Sequence, residues 1–161
     1  MAQESGGDAN AQSVDGAAGI AQIMPDTARM LAKKMNIGDW SGLTDKEVQQ
    51  KLKDNPEQSI RMGSKYLEEN ARRFNGNLAP TIASYHAGPG GAVEKAHEAA
   101  VAKYGESYSA DQFLEFLPAD LKDGNGKTTA SYVRDIYKRL NAPTNGGGLT
   151  GMASWRAANA V

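Results

Sequence analysis

Apolar residues in this chain recur at the three-to-four-residue spacing of an α-helix and almost nowhere at the two-residue spacing of a strand. Capping residues, glycines and prolines separate the helical segments. The sequence therefore predicts a mainly α fold. Helices are predicted at about residues 26–35, 45–52, 56–74, 79–87, 92–104, 111–117, 131–140 and 152–161.

Local motifs predict where several of these helices begin. Asp26 is expected to cap the first helix, and Thr44 with Glu47 has the form of a capping box for the second. Asn55 followed by Pro56 predicts the start of the third helix. One face of that third helix is predicted to carry Ile60, Gly63, Leu67, Asn70 and Phe74.

Length and composition exclude several classes of function. The 161 residues fit one domain, and a net charge of −1 with scattered basic residues argues against nucleic-acid binding. No cysteine is present, and the two histidines belong to no cluster, so neither a metal site nor another cofactor is expected. No apolar run approaches the roughly 20 residues that span a bilayer, so no membrane insertion is expected.

Four short segments stand apart from the helical pattern. They are Gln3–Gly7, Gly16–Pro25, Ser84–Gly90 and Tyr132–Tyr137. Each has a structural explanation when taken alone: a glutamate beside serine and glycine is usually a solvated loop carboxylate, and a tyrosine on a helix usually packs in the core. Their order and spacing carry more information than any single segment.

In that order the segments resemble the soluble lytic transglycosylase family of peptidoglycan-cleaving enzymes, a branch of the lysozyme superfamily. The resemblance covers about residues 1–140, and it implies a lysozyme-like helical domain with a substrate cleft. The segments that match the family's motifs are Glu4-Ser5, Ser13, Gly16–Pro25, Ser84–Pro89 and Tyr132-Val133.

The chemistry of glycoside cleavage makes Glu4 the candidate catalytic acid. An acid must protonate the leaving oxygen, and a free glutamate with a pKa of about 4.3 is mostly ionised at neutral pH. Burial against apolar atoms raises such a pKa, and Ile20, Ile23, Met24 and Tyr85 are candidate wall residues.

The resemblance implies a mechanism that uses one glutamate. Glu4 would protonate the bond between N-acetylmuramic acid and N-acetylglucosamine, and the substrate's acetamido group would stabilise the cationic centre. Glu4 would then act as base on the muramoyl 6-hydroxyl, which closes a 1,6-anhydro ring. The substrate-binding residues implied by the same resemblance are Ser13, Gly19, Ile20, Gln22, Tyr85, His86 and Tyr132.

The sequence departs from the family's pattern at three places. His86 stands where the family has Asn, after Ser84 in place of Ala, and Thr128-Thr129 stands where members often carry Glu-Thr. Only three residues precede Glu4, whereas in the resembled fold a long helix ends at the catalytic glutamate. A circular permutation is one hypothesis for that helix: residues 141–161, with Gly146–Gly148 as linker, would pack ahead of Glu4.

Two alternatives to a lytic transglycosylase remain open at this point. One is a muramidase, in which water attacks instead of the 6-hydroxyl, and the other is a non-catalytic peptidoglycan-binding module of a larger virion or secretion assembly. The expected partner is peptidoglycan in each case, so the domain is expected to act in the periplasm or cell wall. Delivery by a virion, through a holin-type pore or by a removed signal would each fit.

Overall fold

A computed structural model describes residues 3–141 of the chain, and within that range the regular structure is helical. Paired backbone outside the helices is limited, in this range, to isolated antiparallel bridges. The prediction of a mainly α fold is confirmed. The helices are α1 (Pro25–Lys34), α2 (Asp45–Asp54), α3 (Pro56–Arg73), α4 (Leu78–Ala87), α5 (Gly91–Tyr104), α6 (Ala110–Leu114) and α7 (Thr129–Asn141).

The predicted Gly-rich linker and the predicted last helix lie outside the described residues. The same holds for the circular permutation, which depends on those segments. Within residues 3–141, none of the helices combines the length and the apolar character that crossing a membrane requires.

The chain divides into two compact units. Of the described residues, the first unit contains 3–69 and the turn 123–126, and the second contains 70–122 and 127–141. Each unit has its own apolar core.

The core of the first unit joins α1, α2 and the first part of α3 to irregular backbone. Three of its buried residues, Ala18, Ala21 and Ile23, lie in the loop that precedes α1. The helices and the following connection supply the rest of this core: Ala28, Leu31, Ala32, Trp40, Val48, Leu52 and Met62.

The core of the second unit is built mostly from helix faces. Its buried residues are Phe74, Ala79, Ile82, Ala83, Val93, Ala96, Ala100, Tyr108, Phe113, Leu117, Tyr132 and Val133. Tyr108 is only 5% exposed, and its hydroxyl lies 2.6 Å from Nδ1 of His97. Burial raises the pKa of Tyr108, so the hydroxyl keeps its proton and can donate it to the histidine.

Two of the predicted helix starts are confirmed. Thr44 and Glu47 form the expected capping box, in which the Thr44 side chain accepts from the Glu47 amide and the Glu47 side chain accepts from the Thr44 amide. Asn55 Oδ1 accepts from the Gln58 amide at 3.0 Å and so caps α3.

The cap predicted for α1 is wrong. Pro25 occupies the first helical position, and the residue before it, Met24, makes no side-chain cap bond. Asp26 lies inside the first turn, where its carboxylate pairs with Arg29 at 2.7 Å. Proline fits this first position because its missing N–H would have no partner within the helix.

The face predicted for α3 is only partly the buried one. Ile60 and Leu67 are 38% and 37% exposed, whereas Ser59 and Met62 are fully buried. The small Ser59 hydroxyl lies next to Gly19, so α3 turns a side with small residues towards the loop before α1.

Candidate active site

Glu4 lies on a turn that is bonded to the Gly16–Pro25 loop. The Ser5 hydroxyl donates to the carbonyl oxygen of Ile20 at 2.9 Å and accepts from the amide of Gly7 at 3.1 Å. Glu4 itself is half-buried. Ser5 therefore connects the turn that carries the candidate acid to the loop that carries the candidate substrate-binding residues.

Ser13 closes the start of this loop. Its hydroxyl accepts from the amide of Ala17 at 3.0 Å, and its own amide donates to the Ala17 carbonyl at 2.9 Å. Ala18 then forms antiparallel bridges with both Gln12 and Ile23. The backbone before α1 therefore folds back on itself at these two bridges without being helical.

The side-chain nitrogen of Gln22 forms its hydrogen bonds within the loop. Its backbone adopts a left-handed conformation with φ of 48°, and Nε2 donates to the carbonyls of Ala11 at 3.1 Å and Gly19 at 2.9 Å. Both amide hydrogens are thus used within the protein. The side-chain oxygen is the atom of Gln22 that can accept a bond from a ligand.

Gly19 has a packing reason to be glycine. Its φ is 76°, and a Cβ atom there would lie 2.8 Å from the carbonyl oxygen of Leu52 and 3.0 Å from the hydroxyl of Ser59. A side chain would collide with the end of α2, so the loop can approach that helix only at a glycine.

Gln49 of α2 bonds to the same loop. The sequence did not identify it as a candidate site residue. Its Nε2 donates to the carbonyl of Gly16 at 2.9 Å, and its Oε1 lies 3.4 Å from Nε2 of Gln12. Lys53, one helical turn further on, donates to Oε1 of Gln12 at 2.6 Å. A glutamine on an amphipathic helix has no distinctive sequence pattern, so only the structure reveals this network.

Asp15 extends the first unit to the turn at 123–126. Its Oδ2 accepts from the backbone amide of Gly124 at 2.6 Å. The turn at Asp123-Gly124-Asn125-Gly126 is closed by the Gly126 amide, which donates to the Asp123 carbonyl at 2.9 Å.

In the second unit, His86 of α4 contacts two residues in the first turn of α7. Nδ1 of His86 lies 3.0 Å from the Thr129 hydroxyl, and the His86 ring packs against the Tyr132 ring with centroids 4.6 Å apart. Two of the predicted site residues, His86 and Tyr132, therefore lie in direct contact.

The remaining predicted residues differ in their burial. Tyr132 is 4% exposed and belongs to the core of the second unit, while Tyr85 on α4 is half-buried. Of the predicted wall residues in the first unit, Ile23 is buried, Ile20 is half-buried and Met24 is 42% exposed.

The structure thus arranges the predicted site residues as two groups. The first unit contains Glu4, Ser13, Gly19, Ile20 and Gln22, which lie on the turn and the loop segments bonded by Ser5, Ser13 and Gln22. The second unit contains Tyr85, His86 and Tyr132 on α4 and α7. Among residues 3–141, no three acidic or histidine side chains are grouped closely enough to hold a metal ion.

Comparison with known proteins decides the family. The model of the transglycosylase SLT domain matches residues 1–108 of this chain. The chain belongs to the transglycosylase SLT domain family. The match includes the Glu4 turn, the Gly16–Pro25 loop and α4, so the predicted family is confirmed, and the match ends before Tyr132.

Curated relatives of this SLT domain carry the name soluble lytic murein transglycosylase. The relative from Salmonella typhimurium is 38% identical over 88 residues, and that from Escherichia coli is 36% identical over 88 residues. Each alignment covers 55% of this chain and 13% of the relative, so the chain matches only a small part of those longer proteins. No solved structure matches the chain significantly.

Proposed function

We propose that this SLT domain cleaves the glycan strands of peptidoglycan as a lytic transglycosylase, with Glu4 as its catalytic acid and base. The observation that carries the proposal is the position of Glu4: it is half-buried on a turn that Ser5 bonds to the family's Gly16–Pro25 loop. Membership of the family and the names of the curated relatives support the same reaction class.

In the first step, Glu4 gives its proton to the oxygen that links N-acetylmuramic acid to N-acetylglucosamine. The bond between that oxygen and the anomeric carbon of the muramic acid breaks, and N-acetylglucosamine leaves with the proton. The acetamido oxygen of the muramic acid stabilises the positive charge on the anomeric carbon, so no second carboxylate is needed.

In the second step, the Glu4 carboxylate takes the proton of the muramoyl 6-hydroxyl. The oxygen of that hydroxyl bonds to the anomeric carbon and closes the 1,6-anhydro ring. Glu4 is protonated again, no water is consumed, and the cycle is complete.

Gln22 is proposed to hold the substrate through its side-chain oxygen. Because both amide hydrogens are bonded to loop carbonyls, the ligand group that it can accept from is a hydroxyl or the N–H of an acetamido group. Ile20 and Gly19 would present loop backbone beside it, and Ser13 would act near Glu4. In the second unit, Tyr85, His86 and Tyr132 are proposed as further sugar contacts.

The substrate determines where the protein acts, which is the periplasm or the cell wall. The proposed routes are delivery by a virion, through a holin-type pore or by a removed signal, and a larger virion or secretion assembly is a proposed partner.

Product analysis tests this proposal most directly. Purified peptidoglycan is digested with the wild type in isotopically labelled water, and the products are examined by mass spectrometry. We expect fragments that are one water lighter than reducing ends and that carry no label. Glu4→Gln should abolish product formation, because an amide cannot donate the proton that the leaving oxygen requires.

Asp8→Asn is the matched control. Asp8 is an exposed carboxylate in the same loop, and its Oδ1 accepts from the Asn10 amide at 2.8 Å, a bond that an Asn side chain can retain. The control should keep wild-type activity. Labelled reducing ends would identify a muramidase instead, and binding to peptidoglycan without any product from the wild type would identify a non-catalytic module.

A further inference from the structure

We infer that Gln49 of α2 is a positioning residue for the proposed reaction, acting through the Gly16–Pro25 loop. This inference rests on the proposed function, since it assigns Gln49 the task of fixing the loop that holds substrate next to Glu4. Gln49 bonds to the loop backbone at Gly16, so its effect on the reaction passes through that backbone.

The Gln49 side chain lies directly against Gly16. Gln49 Nε2 donates to the Gly16 carbonyl at 2.9 Å, and a Cβ atom on Gly16 would lie 3.2 Å from that same nitrogen. Gly16 also has a φ of 93°, a conformation that favours glycine. The conformation therefore favours glycine at position 16, and a side chain there would press on the nitrogen with which Gln49 holds the loop.

Gly16 lies at the start of the loop, and both its amide and its carbonyl are bonded. Its amide closes a turn by donating to the Ser13 carbonyl at 3.1 Å, and its carbonyl is held by Gln49. The chain then enters the pair of bridges at Ala18 and reaches Gly19 and Gln22. A free Gly16 carbonyl would loosen the loop at the point where it departs towards the substrate-binding residues.

The surroundings of Gln49 separate this task from a general stabilising role. Val48 and Leu52 of α2 are fully or almost fully buried and anchor the helix in the core. Gln49 is only half-buried, and its amide is bonded to loop residues. Removing its bonds should therefore release the loop and leave α2 in place.

The test compares Gln49→Met with Gln50→Met. Methionine has nearly the length of glutamine and cannot donate the bond. Gln50 is the matched control, because it is the next residue of α2, is exposed, and bonds only within the helix, to Asp54 at 2.7 Å. We expect Gln49→Met to lower kcat on soluble glycan strands by about tenfold or more while KM changes little, since small misplacements cost large factors in rate. Gln50→Met should match the wild type.

Two further measurements distinguish positioning from folding. Amide hydrogen exchange at Ala17, Ala18 and Ile23 should accelerate in Gln49→Met relative to Gln50→Met, with no change in the α2 amides. Gln49→Glu, which has the same length but cannot donate when ionised, should behave as Gln49→Met does. If Gln49→Glu and Gln49→Met both retain wild-type kcat and loop exchange, the positioning role is wrong.

Failure of this inference is distinguishable from failure of the proposed function. An inactive wild type, or a Glu4→Gln variant as active as the wild type, overturns the proposed function and the positioning role together. An active wild type with an inactive Glu4→Gln variant and fully active Gln49 variants overturns the positioning role alone.

Discussion

The two units of this protein differ in how many of their buried core residues lie outside helices. In the second unit, most buried residues lie on α4, α5, α6 and α7, whose backbone groups bond within each helix. In the first unit, Ala18, Ala21 and Ile23 are buried on a loop that has no helix to satisfy its backbone.

The difference shows how a loop can serve as part of a core. A buried backbone N–H or C=O needs a partner, and outside helices and sheets the partner is often a side chain. Here Ser5, Ser13, Gln22 and Gln49 supply such bonds to loop carbonyls or amides. The loop should therefore be sensitive to individual residues in a way that the helical core is not.

The largest expected effect comes from adding one methyl group in the loop. Gly19→Ala should lower the free energy of unfolding by about 3 kcal/mol, because the strained φ and the collision with Leu52 act together. Gly91→Ala in the second unit is the matched control, since its φ of 57° is also positive and no atom lies within 4 Å of the added carbon.

Gly91→Ala should cost only about 1 kcal/mol, which is the conformational part alone. Urea denaturation of both variants measures the difference. Equal losses in the two variants would show that the loop does not pack on α2 as described.

The second effect concerns one hydroxyl. Ser5→Ala should cost about 1–2 kcal/mol, because the partly buried Ile20 carbonyl loses its partner. Ser64→Ala should be close to neutral, since the Ser64 hydroxyl bonds back to the Ile60 carbonyl on the exposed side of α3. Urea denaturation again separates them, and a neutral Ser5→Ala would contradict the proposed connection between the Glu4 turn and the loop.

The smallest effects concern helix caps, where the two units are alike. Each has a capping box, formed by Thr44 with Glu47 on α2 and by Ser109 with Gln112 on α6. Thr44→Ala and Ser109→Ala should each cost about 1 kcal/mol in thermal unfolding. A much larger loss for either would mean that the residue supports more than its own helix.

Acid should separate these two caps. Hydrogen bonds from Thr44 hold the pKa of Glu47 below its usual range. A lowered folded pKa means that the contribution of Glu47 is present above about pH 4.5 and is lost as the pH falls through the lower folded value. The destabilisation by Glu47→Ala should therefore shrink in acid, whereas that by Gln112→Ala, at a neutral side chain, should stay constant.

The helices were predictable because their ends carry strong local chemistry. Thr44 and Asn55 act as the sequence predicts. Asn75 and Gly76, just after the end of α3, both have positive φ. The capping box of Ser109 was missed, although its spacing to Gln112 was readable, and the predicted helix there began one residue late and ran three residues too far.

The orientation of α3 was less predictable than its length. Periodicity identifies a face with Ile60 and Leu67, but the side that packs is decided by what approaches it. Here that neighbour is a loop that comes close at Gly19 and needs the small Ser59 opposite. The spacing of apolar residues along one helix does not reveal which segment packs against it.

The candidate site shows the same division. Motif order predicts Glu4 and the loop residues, but it cannot show that His86 and Thr129 would contact each other across 43 positions of sequence. Nor can it show that Gln22 uses its nitrogen for the loop, because both uses of an amide look identical in sequence.

Because the side-chain nitrogen of Gln22 bonds to loop carbonyls, a variant at Gln22 changes more than substrate binding. A carboxylate has the same outline as an amide, yet Gln22→Glu would direct an oxygen at the carbonyls of Ala11 and Gly19, where like partial charges repel. The exchange would therefore open the loop and disturb sugar recognition at once. A loss of activity in Gln22→Glu would therefore reflect a disturbed loop as well as weaker glycan binding.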